Sequence, residues 1–116
     1  MTKNELKQLQ YLPDEISRVE AEIGRISNLE IEAEMQPYTD ELLSLLKMRL
    51  KMCVSSFDRL SSFILNAPDK LLQDVLQLRF LLGRSWVDIS TEVHSTPDAC
   101  RMMCTRYLEG GVFRDE

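Results

Sequence analysis

The chain has 116 residues, with 19 acidic against 14 basic side chains, a net charge of −5, and only four glycines and four prolines. Such a length suits one domain, or a small domain with a helical extension, and an apolar run of about 18 residues, which a transmembrane span would need, is missing. Cys53, Cys100 and Cys104 form no CxxC pair, which argues against a disulfide framework and for a reducing, cytoplasmic setting.

The opening residues MTKNELKQLQ are polar and lead into a helical pattern, unlike a signal peptide. Thr2-Lys3-Asn4-Glu5 fits a capping box: the Thr2 hydroxyl accepts from the third helical amide, and Glu5 reaches back. Leu9, Leu12, Ile16, Val19, Ile23 and Ile26 then recur at spacings of 3 and 4, a heptad seam. Pro13 interrupts it, which predicts a kink or a short first helix ending near Tyr11. Gln36-Pro37-Tyr38 reads as a loop. Thr39 or Asp40 is expected to cap the next helix.

A second seam follows: Leu43, Leu46, Leu50, Cys53, Phe57, Leu60 and Ile64, again at spacings of 3 and 4. Two seamed helices joined by a loop predict a long, coiled-coil-like antiparallel hairpin over residues 1–66. Eight acids against three bases lie between Glu5 and Glu34, and four bases against one acid between Lys47 and Arg59, so the charges favour pairing of the two helices. Leu42, Leu45, Met48 and Val54 widen the apolar face of the second helix beyond what one hairpin covers. That face must pack on the C-terminal helices or on a second copy, and a homodimer is expected.

Asn66-Ala67-Pro68-Asp69 breaks the pattern, with Pro68 suited to a helix start. Leu71, Leu72, Val75, Leu78 and Leu82 form a helical stripe that Gly83 ends as a left-handed cap. Ser85 caps a short helix carrying Trp86, Ile89 and Val93. Thr96-Pro97-Asp98 opens the last helix with a capping hydroxyl, an early proline and an acid near the positive end. Its buried side is Cys100, Met103, Tyr107 and Leu108. Gly110-Gly111 ends it, leaving 110–116 as a tail. The fold class is all-α: a helical hairpin, then a trihelical helix-turn-helix domain over 67–109.

The stretch Asp69–Leu108 resembles the fourth region of bacterial sigma factors, which reads the promoter −35 element. The resemblance rests on Leu78-Arg79-Phe80, Gly83 and Ser85-Trp86, on Asp88-Ile89-Ser90 where that family has Glu-Ile-Ala, and on Thr96 at the cap of the recognition helix. Cys100 stands for a valine and Met103 for an isoleucine or leucine, and Arg101 and Arg106 stand where the family has arginines. The whole chain is similar to short phage and prophage proteins with a sigma-region-four-like tail, some of which are regarded as activators of late transcription. The chain departs from the pattern at His94, where the turn usually has glycine, at Ser95, usually apolar, and at Met102 and Thr105, where bases are common.

The resemblance implies transcription regulation through duplex DNA, with RNA polymerase as a possible second partner. In that reading the last helix enters the major groove by its N-terminal turn. Thr96, Asp98, Arg101, Thr105 and Arg106 face outward on the expected register. Arg101 suits a guanine edge, because its fork matches O6 and N7. Arg106 and Arg84 suit phosphates, and Asp98 would repel phosphate or accept from cytosine. Between Arg84 and Arg106 there are three bases and three acids. Phosphate contacts supply most non-specific affinity, so binding is expected to be weak or to need a dimer. The rival reading is an adaptor that docks on RNA polymerase or a sigma factor without touching DNA.

Blander roles account for the remaining signals. Cys100 and Cys104 lie four apart near His94, but no four-ligand set accompanies them, so they read as small apolar fillers rather than metal ligands. Trp86 reads as a core plug. His94 has no nucleophile partner, and neither a phosphate-cradling glycine loop nor HExxH is present. No enzyme, cofactor or membrane role is expected.

Overall fold

The computed structural model describes residues 1–109, which form helices and no strand. The expected 110–116 tail and Gly110-Gly111 stop lie outside the described residues. The helices are α1 (Lys3–Lys7), α2 (Leu12–Ser27), α3 (Gln36–Leu65), α4 (Lys70–Leu76), α5 (Trp86–Glu92) and α6 (Pro97–Leu108). Tight turns at Gln8–Gln10 and Ala33–Met35 and a wide, π-type turn at Gln77–Leu81 connect them. None of these helices is long and apolar enough to cross a membrane.

Two compact units divide the chain. One is Tyr11–Asp58; the other combines Met1–Gln10 with the residues from Arg59 onward. These bounds differ from the expected split at 66/67. The N-terminal ten residues and the end of α3 count with the C-terminal helices.

The 11–58 unit consists of α2 and most of α3. Pro13 stands in the first turn of α2, where its missing N–H costs nothing. The break near Tyr11, one of the two outcomes expected from Pro13, is therefore a helix start. Leu12, Val19 and Ile26 are buried, while Ile16, Ile23, Leu46, Leu50 and Phe57 of the two seams are only half-buried. The Glu15 carboxylate of α2 takes the Arg49 guanidinium of α3 and also Arg18. Arg49 accordingly holds the Glu15 carboxyl below its ordinary range. Gln36-Pro37-Tyr38 is the first turn of α3, not a loop, since a proline near a helix N-terminus removes only an amide that has no helical partner. Thr39 and Asp40 are therefore inside the helix and do not cap it. The Thr39 hydroxyl donates to the Met35 carbonyl, and Asp40 accepts from the Gln36 side chain.

The other unit has the larger core. Leu6, Leu9, Leu60, Ile64, Leu72, Val75, Leu76, Ile89, Cys100 and Cys104 are each at most 1 % exposed. Leu9, Leu60 and Ile64, expected as seam residues of a hairpin, belong to this core. The capping box at Thr2 and Glu5 is complete, with both hydrogen bonds near 3 Å. The Thr2 amide holds the Glu5 carboxyl below its usual range, and Arg59 lies 3.4 Å from it.

Candidate nucleic-acid interface

The elements around the expected reading helix follow from local chemistry. Asp69, Ser85 and Thr96 each cap a helix, accepting from the amides of Leu72, Asp88 and Ala99 at 2.7, 3.1 and 3.1 Å. Each such cap contributes about 1 kcal/mol. Asp69, rather than Pro68, sets the start of α4. After α4 the chain widens by one residue: the Leu82 amide donates to the Gln77 carbonyl at 3.0 Å and the Arg84 amide to that of Leu78 at 2.9 Å. A π-type turn of this kind shifts the helical phase. Leu78 and Phe80 therefore point inward, whereas Leu82, expected on the buried stripe, is 60 % exposed. Leu71 is likewise exposed.

Gly83 has φ +69°, the left-handed conformation expected of it. A side chain there would also meet the Gln10 carboxamide at 3.3 Å. Gln10 in turn donates to the Arg79 carbonyl at 3.4 Å. The N-terminal segment thus rests against the turn that precedes α5.

α5 and α6 pack together and α4 lies against α6, with Ile89 of α5 and Cys100 and Cys104 of α6 buried. The turn between α5 and α6 has His94 at φ 58°, the one non-glycine left-handed residue among those described. Ser95, where an apolar residue was the pattern, donates its amide to the Ser90 carbonyl at 2.9 Å. On α6, Tyr107 donates to the Phe63 carbonyl at 3.1 Å, with the two rings 4.8 Å apart. Trp86 is half-buried, not a sealed core plug, and the Arg79 guanidinium lies 4.5 Å from its ring centre. The Cys104 thiol is pushed up to about 12 by burial, with Cys100 adding to it, so it stays protonated and acts as a filler. Among the described residues no three of His, Cys, Asp and Glu come together as metal ligands.

The expected contact residues lie as follows. Thr96, Asp98, Arg101 and Arg106 are exposed on α6. The Thr96 hydroxyl is already engaged as the cap. Asp98 and Arg101 form an ion pair one turn apart. Thr105 is half-buried rather than outward, and its hydroxyl donates to the Arg101 carbonyl at 3.0 Å. Arg84 sits before α5 and approaches Glu92 at 3.7 Å. Arg101 and Arg84 therefore each face an acid, while Arg106 opens onto a shallow patch with Ala99, Met102 and Met103. Sequence reasoning missed the Asp98–Arg101 pair, although the three-residue spacing that brings such charges together was legible. It also missed a cleft between α4 and α5, lined by Lys70, Asp74, Leu82 and Glu92.

No protein-family model, no curated protein and no solved structure matches this chain.

Proposed function

We propose that the chain is a transcription regulator of phage or prophage type that binds duplex DNA. In this reading α4, α5 and α6 serve as a trihelical helix-turn-helix domain resembling sigma region four, and α2 and α3 form an antiparallel hairpin. The supporting observation is the α5–turn–α6 unit: a left-handed His94, a Thr96 cap, and Arg101 and Arg106 both exposed on the second helix. Arg101 reads a base edge, and Arg106 and Arg84 take phosphates. A homodimer places two such helices on neighbouring half-sites.

The charge balance favours a second reading, a non-catalytic adaptor that docks on RNA polymerase or a sigma factor. Asp98 holds Arg101 and Glu92 approaches Arg84, so exposed acids stand beside exposed bases. Selection of the full chain against a random duplex pool separates the two readings. The DNA reading expects an enriched motif that an Arg101→Ala, Arg106→Ala double variant loses while remaining folded. No enrichment at low salt overturns it and favours the adaptor.

A further inference from the structure

Helix α3 has two apolar faces. One is the half-buried seam of Leu43, Leu46 and Leu50. The other is a stripe of Tyr38, Leu42, Leu45, Met48 and Met52, which are 68, 46, 57, 60 and 65 % exposed. These positions recur at spacings of 3 and 4 and lie along one side of the helix. Nothing within the described chain covers them. A full row of large apolar side chains in water is the usual mark of an interface.

We propose that this stripe is the contact surface between two copies of the chain, with their α3 helices antiparallel and crossing at Leu45. Two features select a second copy. The stripe is self-complementary about Leu45: Tyr38 and Met52 lie seven residues to either side, and Leu42 and Met48 lie three to either side. An antiparallel two-fold axis therefore sets Tyr38 level with Met52 of the copy, Leu42 with Met48, and Leu45 with itself, as an isologous interface requires.

Charge supplies the second feature. Glu41 and the Glu15-bound Arg49, both exposed, lie beside the stripe four residues to either side of Leu45, whereas Asp40, Lys47 and Lys51 are on the opposite side of the helix. The antiparallel arrangement sets Glu41 level with Arg49 of the copy. A parallel one stacks acid on acid and base on base. Even a large aromatic side chain buries only about 150–250 Å², so one partly exposed tyrosine with two leucines and two methionines supplies at most on the order of 500 Å² per copy. Two copies then bury at most about 1,000 Å², the lower limit for a specific interface, which predicts a reversible, concentration-dependent dimer. This inference does not depend on DNA binding.

Sedimentation velocity of the full chain over a concentration series tests it, together with cysteine cross-linking in a Cys53→Ser background. The wild type is expected to pass from monomer to dimer as concentration rises. Leu45→Glu, at an exposed position that leaves helicity unchanged, is expected to weaken the dimer roughly tenfold or more, because each dimer carries the change twice. On mild oxidation Leu45→Cys should cross-link to itself. Tyr38→Cys alone should not, since its two copies would lie roughly 20 Å apart at 1.5 Å per residue. A mixture of Tyr38→Cys and Met52→Cys chains should cross-link. A chain that stays monomeric throughout, a dimer insensitive to Leu45→Glu, or self-linking of Tyr38→Cys as ready as that of Leu45→Cys would each overturn the proposal.

Discussion

His94 and Asp98 are the residues at which local chemistry and the proposed function meet most closely. A left-handed backbone costs a non-glycine residue roughly 1–2 kcal/mol, and glycine gives back part of that through its freer unfolded chain. His94→Gly is therefore expected to raise stability by up to about 1 kcal/mol in urea unfolding, and a loss would show that the His94 side chain supports the turn. Asp98 is a different case. Its pair with Arg101 is largely exposed and its charge favours the α6 N-terminus, so Asp98→Asn should lower the melting temperature slightly. Under the DNA reading the same variant frees Arg101 and removes a repulsive carboxylate. Duplex affinity should then rise, by up to about fivefold. A fall in affinity would mean that Asp98 itself makes a favourable contact. Both features rest on short spacings; the turn at His94 was legible in the sequence, whereas the Asp98–Arg101 pair, equally local, was missed.

At the scale of elements, the caps at Thr2, Ser85 and Thr96, Gly83 and Pro13 acted where the sequence put them, because each depends on neighbours within a few residues, whereas the cap expected at Thr39 or Asp40 lies inside α3. What was not legible depends on contacts distant in the chain. Leu9 keeps perfect heptad spacing with Leu12, yet the two fall in different compact units. Periodicity reports which face is apolar, not which partner covers it. The wide turn at Gln77–Leu81 had no signature of its own, and it sent Leu82 outward. The α1 segment shows the consequence for stability. Leu6 and Leu9 are essentially inaccessible to solvent, so Leu6→Ala should cost about 2–5 kcal/mol by thermal or urea unfolding. Deleting residues 1–10 should destabilise the helices from Arg59 onward. Unchanged hydrogen-exchange protection of α4 to α6 in the deletion would refute that role.

For the whole molecule, acid exposes which carboxylates matter. Glu5 and Glu15 are held below their ordinary value of 4.5 by the Thr2 amide and by Arg49 respectively. Groups with lowered folded values contribute stability above the unfolded value and lose it as pH falls through the folded one. Stability should thus be level above about pH 5 and decline below pH 4.5, with Glu5→Gln and Glu15→Gln flattening that decline in pH-dependent melting. Under the DNA reading the net charge of −5 leaves binding to a few basic side chains, and this gives the proposed function its most direct test: duplex affinity of the full chain against salt concentration. Each phosphate-neutralising arginine contributes about 0.9 to the log–log slope. If α6 reads DNA, affinity falls steeply with salt, and Arg106→Ala lowers the slope by about 0.9 while Arg101→Ala relaxes sequence preference. A slope that neither substitution changes, or no binding at low salt, would contradict the account.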